Sequence, residues 1–81
     1  MNEENYIAAT KEAMSKAYVP YSNYPVGALI VTDNGNTYSG CNVENASFPL
    51  GNCAEASAIA SMVIGGEKKI KTIYVMTKND E

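Results

Sequence analysis

The sequence predicts a single α/β domain, a layered sandwich on a mixed sheet with the element order helix, hairpin, helix, strand. Three observations carry that prediction. Apolar residues recur at helical spacing near the N-terminus, two strand-like runs flank a turn signal, and a second helix, apolar nearly all round, precedes a last strand-like run. With 81 residues there is room for one small domain, 1–81. A chain of this size buries roughly 60–65% of its unfolded surface, so its core is thin.

The first helix is expected over Glu3 to Tyr18, with acids in its first turn and Pro20 stopping the pattern. Val19 to Asn23 reads as loop. Val26 to Thr32 reads as strand, Asp33-Asn34-Gly35-Asn36 as a hairpin turn, and Thr37 to Val43 as the returning strand. Glu44 to Gly51 is loop, and Asn52 is placed to cap a helix from Cys53 to Ile64 closed by Gly65-Gly66. That helix is interrupted only by Glu55, Ser57 and Ser61, which implies burial on most sides. Lys71 to Thr77 is the last strand, expected at an open sheet edge. The architecture reads as unfinished.

Composition excludes several function classes. A hydrophobic fraction of 46% against 19% charged residues is globular. No apolar run approaches the roughly 20 residues of a membrane span, and Met1-Asn2-Glu3-Glu4 is unlike a signal peptide. A net charge of −3 without arginine argues against a nucleic-acid partner. Cys41 and Cys53, without a secretory signal, read as reduced cytoplasmic thiols.

All lysines lie toward the two ends, and Ala17 to Glu67 carries only Asp33, Glu44 and Glu55 before Glu67. Asp33 belongs to a turn; Glu44 and Glu55 have no such explanation. A carboxylate in a neutral, apolar stretch needs a counter-charge or is pushed toward its protonated form. Asn52-Cys53-Ala54-Glu55 stands at a helix start, where the dipole favours a thiolate fit to be a nucleophile or a metal ligand. Cys-x-Glu is the cysteine form of half a zinc-deaminase signature, in which zinc activates water and a non-ligating Glu moves protons. Taken alone the pair is a weak pattern, and a buried small thiol beside a dipole-stabilising glutamate is then the better explanation. Asn42 and Glu44 lie two apart, so at a strand end both project to one face, a pairing suited to a sugar diol or to loop capping. Cys41 reads as a packed thiol rather than a ligand.

Three motifs taken together, Tyr21-Ser22-Asn23-Tyr24-Pro25-Val26-Gly27-Ala28, Gly40-Cys41-Asn42-Val43-Glu44-Asn45-Ala46-Ser47-Phe48 and Asn52-Cys53-Ala54-Glu55, resemble the cytidine deaminases in order and spacing across essentially the whole chain. The resemblance implies a cytidine-deaminase-like fold, Cys53 as a Zn2+ ligand and Glu55 as proton shuttle. It implies Asn42 and Glu44 at the ribose hydroxyls, Tyr24 at the pyrimidine and Ala54 on the substrate side. It also implies a pyrimidine nucleoside substrate and a homo-oligomer, commonly a tetramer. Two departures stand out. The family's Pro-Cys-x-x-Cys half, which supplies the other zinc ligands, has no counterpart through Glu81, so the chain is expected to be an N-terminal portion, inactive alone. Ala56 stands where many cysteine-liganded relatives carry an arginine that offsets thiolate charge. Two readings compete with the enzyme: a non-catalytic nucleoside-binding or subunit-interaction module, and a metal-free thiol enzyme, which lacks a histidine base.

Overall fold

The computed structural model describes residues 3–44 and 53–78. Helix α1 spans Glu3–Ser15, strand β1 Val26–Thr32, β2 Thr37–Cys41, helix α2 Ala54–Ile64 and strand β3 Ile70–Thr77. The sheet order is β2-β1-β3, with both neighbours antiparallel to β1. Strands β2 and β3 therefore run parallel to each other and are joined by α2. A separate parallel bridge joins Tyr18 to Val43.

Alternation along β1 assigns each helix to one face of the sheet. Gly27 faces α1 so closely that a Cβ there would lie 2.4 Å from Met14 N and 2.5 Å from Thr10 O. Thr10, Ala13 and Met14 are the buried residues of α1, and Tyr6 stacks at a tilt on Tyr74 of β3 with ring centroids 5.6 Å apart. The other face carries Ala28 and Ile30, which join Ala54, Ala58 and Met62 of α2 in the main core cluster. Register places Gly40 opposite Ala28 and Tyr38 opposite Ile30 on that same face.

Helix α2 is not buried on most sides. It lies over β2 and β1 and buries one stripe, while Ile59 and Val63 on its flank are exposed. Ile73 and Val75 of β3, opposite Ile30 and Ala28, are exposed too. Apolar side chains thus stand exposed both on the flank of α2 and on this face of β3, where the described residues leave them uncovered. The helix begins one residue later than expected: Cys53 is the N-cap, and Asn52 lies outside the described residues. At the other end the glycine pair acts as anticipated. Gly66, at φ +91°, donates to Val63 O and Glu67 N donates to Met62 O, the two bonds of a Schellman stop.

Glu67 then ties this loop to the hairpin. Its carboxylate accepts from Asn34 Nδ2 at 2.9 Å, Asn36 Nδ2 at 3.0 Å and the Tyr38 hydroxyl at 2.9 Å. The Thr32 hydroxyl, then Asn36, with Asn34 and Tyr38 behind them, hold the Glu67 carboxyl down at about 2 from an ordinary 4.5, against the opposing pull of desolvation. Tyr38 is pushed up by the same bond, by burial and by the Glu67 charge. A carboxyl depressed on folding stabilises the fold above its unfolded value, and that stability is lost as pH falls through the folded value. Acid unfolding of the parent should therefore steepen between pH 4.5 and about 2. Glu67→Gln should flatten that limb in urea melts taken across this range; an unchanged acid limb would assign it to other carboxylates.

Candidate functional site

The six candidate residues gather at one end of the sheet. The chain after β2 runs beside the chain after α1, with Tyr18 N donating to Asn42 O at 3.1 Å and Glu44 N to Tyr18 O at 2.8 Å. This sets Asn42 and Glu44 against the loop before β1. Asn42 clamps that loop: Oδ1 accepts from Val26 N at 2.9 Å and Nδ2 donates to Tyr24 O at 3.0 Å. Asn23, at φ +55°, makes the reversal that brings Tyr24 into place, a conformation asparagine tolerates. Tyr24 itself is 41% exposed.

Glu44 accepts from Tyr21 N and Ser22 N, each at 3.1 Å on Oε1, and from the Ser22 hydroxyl at 2.6 Å on Oε2. The carboxyl is lowered first by the Ser22 hydroxyl, then by the Ser22 amide, with desolvation opposing and the Tyr21 amide assisting. Hydrogen-bond donors, not a cation, are what this carboxylate finds in its neutral stretch. The sequence assigns no role to Ser22. It is the hub of the loop, since its oxygen also accepts from Tyr24 N at 3.2 Å. The available signal was Glu44 itself, an acid in need of donors. Ser22→Ala should move the Glu44 carboxyl titration upward, read by carboxyl NMR; an unmoved titration would show that the amides suffice.

Across from this loop, α2 starts directly on β2. A Cβ on Gly40 would lie 2.4 Å from both Ala54 O and Ala58 N, so Ala54 is packed down and fully buried. Cys53 precedes it with φ −80° and ψ 152°, exposed, and its side chain makes no capping bond. Among the described residues the thiol thus has no hydrogen-bond partner, and it stands at the positive end of a helix. Glu55 is also exposed, and no ion pair or side-chain hydrogen bond engages its carboxylate among the described residues. The apolar enclosure expected around Glu55 is absent there, because α2 buries Ala54, Ala58 and Met62 and turns Glu55 toward the uncovered flank with Ile59 and Val63. Phe48 lies outside the described residues.

A family model described as the cytidine and deoxycytidylate deaminase zinc-binding region matches residues 1–78. The chain belongs to this deaminase family. It is 40% identical over 80 residues to a cytidine deaminase of Sporosarcina psychrophila, covering 99% of this chain and 59% of that protein. It is 44% identical over 81 residues to the cytidine deaminase of Mycoplasma genitalium, covering 98% and 62%. Among solved structures, the cytidine deaminase of Burkholderia pseudomallei matches with a TM-score of 0.88 at 46% identity, over 95% of this chain and 62% of that one. That of Mycobacterium tuberculosis matches with a TM-score of 0.90 at 30% identity, over 100% and 66%. The chain thus spans about three fifths of the length of the curated relatives it matches.

Zinc is the metal of the deaminase family, and the donors here fit one corner of a zinc site. A catalytic zinc takes about three protein ligands and a water. Cys53 is placed for one. Cys41 is half-buried beside Gly27 on the α1 face of the sheet, opposite the face that carries α2. The sequence has no histidine and no third cysteine, and among the described residues no group of three or more metal-binding side chains occurs. No helix among them is long and apolar enough to cross a membrane.

Proposed function

We propose that this chain supplies the nucleoside-binding and proton-transferring part of a hydrolase that converts cytidine or deoxycytidine to the uridine form, with the remaining zinc ligands supplied by residues beyond these 81. The observation that carries this reading is the state of two side chains at the start of α2. Among the described residues neither the Cys53 thiol nor the Glu55 carboxylate has a side-chain hydrogen bond or ion pair, whereas Glu67 is filled with donors.

In this reading zinc, once its ligand set is complete, supplies the activated water. Glu55 would accept that water's proton and deliver it to the pyrimidine ring nitrogen, then carry the proton of the newly added hydroxyl to the amino group, whose bond to the ring carbon breaks as ammonia leaves. Asn42 and Glu44 meet the sugar hydroxyls with lone pairs not already used on the loop, and their clamp on residues 21–26 holds Tyr24 against the base. Ala54 packs the helix start down so that its backbone borders the substrate. The relatives in the comparison are named cytidine deaminases, which supports a pyrimidine nucleoside as substrate. The uncovered apolar flank of α2 and β3 supports assembly, whether with a further segment of chain or as a homo-oligomeric tetramer. A cytoplasmic setting suits the two free thiols.

The test is metal content per chain by elemental analysis, beside a spectrophotometric cytidine assay. The 81-residue chain alone should hold no stoichiometric zinc and show no turnover. Adding a separately made segment with the relatives' remaining ligands should restore both in one step, because metal binding and completion of the fold are coupled. Stoichiometric zinc in the 81-residue chain alone would overturn this division of the ligand set.

A further inference from the structure

The hairpin turn carries chemistry that the proposed reaction does not use. Of the chain's asparagines, Asn34 alone precedes a glycine. Asn34 and Gly35 are both exposed, and a Cβ built on Gly35 would meet nothing within 4 Å. The amide between them is therefore sterically open to the reaction that such pairs undergo. The Gly35 nitrogen, after giving its proton to hydroxide or a buffer base, attacks Asn34 Cγ. The new N–Cγ bond closes a succinimide, the Cγ–Nδ2 bond breaks and ammonia leaves. Water then adds to either ring carbonyl and reopens it to aspartate or isoaspartate.

The fold restrains both reacting groups. Gly35 N–H donates to Thr32 O at 2.9 Å, closing the turn, so its proton is harder to remove. Asn34 Nδ2 donates to Glu67 Oε1 at 2.9 Å, which pins the side-chain amide to the loop between α2 and β3. Glu67 cannot swing away with it, since Asn36 and Tyr38 grip its other oxygen.

We propose that Asn34-Gly35 is a latent deamidation site held closed by Glu67, and that conversion of Asn34 to an acid opens the latch between the hairpin and α2. The product places a carboxylate where a donor had been, at hydrogen-bond distance from another carboxylate. A favourable bond becomes a like-charge contact. Lys68 and Lys69 line the adjoining depression with Asp33, but among the described residues neither lysine is ion-paired to Glu67.

The experiment incubates the 81-residue chain at mildly alkaline pH, folded and in urea, and follows Asn34 by peptide mapping and isoaspartate detection. Folded parent should deamidate about tenfold more slowly than the urea-unfolded chain, and Glu67→Ala should remove about that much protection, with Glu67→Gln in between. Equal rates in folded parent and folded Glu67→Ala would overturn the guard role. Since Glu67→Ala can lose the fold, a second arm makes the product directly. Asn34→Asp should lower the urea midpoint of the parent and have little effect in the Glu67→Gln background. An equal drop in both backgrounds would overturn the latch.

Discussion

Gly40→Ala is expected to cost about 3 kcal/mol or more. The added Cβ would sit 2.4 Å from Ala54 O and from Ala58 N, both backbone atoms of α2. Backbone cannot turn aside as a flexible side chain can, so the helix must lift from β2. Lifting it pulls Ala54 and Ala58, both essentially fully buried, out of the cluster with Ala28 and Ile30. A domain of this length has only about 4–12 kcal/mol of total stability, so the loss is a large share of it. Gly35→Ala is the control: its Cβ meets nothing, and its cost comes only from φ +83°, about 1 kcal/mol. Urea midpoints of the two variants separate them. Equal midpoints would mean that α2 does not approach β2 this closely.

Local order was legible in the sequence wherever one residue type decides it. Strand β1 has the bounds read from its apolar run, and the Gly65-Gly66 pair stops α2 because only the second glycine takes a left-handed conformation without cost. Helix α1 falls short of Tyr18, which instead hydrogen-bonds along residues 42–44; a long-range bridge overrode helical periodicity. Sheet order was not legible, since nothing in the last strand's pattern says that it pairs with β1 rather than β2. The site was legible as residue types and hidden as bonds. The spacing of Asn42 and Glu44 suits a sugar diol or loop capping, and the fold has both residues holding a loop that lies 16 to 23 residues earlier in the chain. Such partners depend on tertiary closure, and spacing carries no trace of them. Glu67 closed the neutral stretch without a role in the sequence, yet it collects more side-chain donors than either candidate carboxylate.

That difference among the acids bears directly on chemistry. A carboxylate filled with donors, as Glu67 is, stays ionised far below neutrality and makes a poor proton carrier. Glu55 has no such partners among the described residues, stands on the first turn of a helix anchored by Ala54, and lies two residues from the Cys53 thiol. In the protein completed by its remaining ligands, Glu55→Gln should lower kcat by about 10²–10⁴-fold, the range that a positioned acid–base group contributes. Zinc content and nucleoside binding should persist, because glutamine keeps the shape and removes only the titrating proton. Glu55→Asp tests position separately: the carboxylate returns but falls short by one methylene, so turnover should recover only in part. Urea midpoints of both variants should match the parent, since Glu55 is exposed and supports no core contact. Near-normal turnover in Glu55→Gln would take proton transfer away from Glu55. Loss of zinc together with activity would make it a ligand, or a support for Cys53, instead of the shuttle.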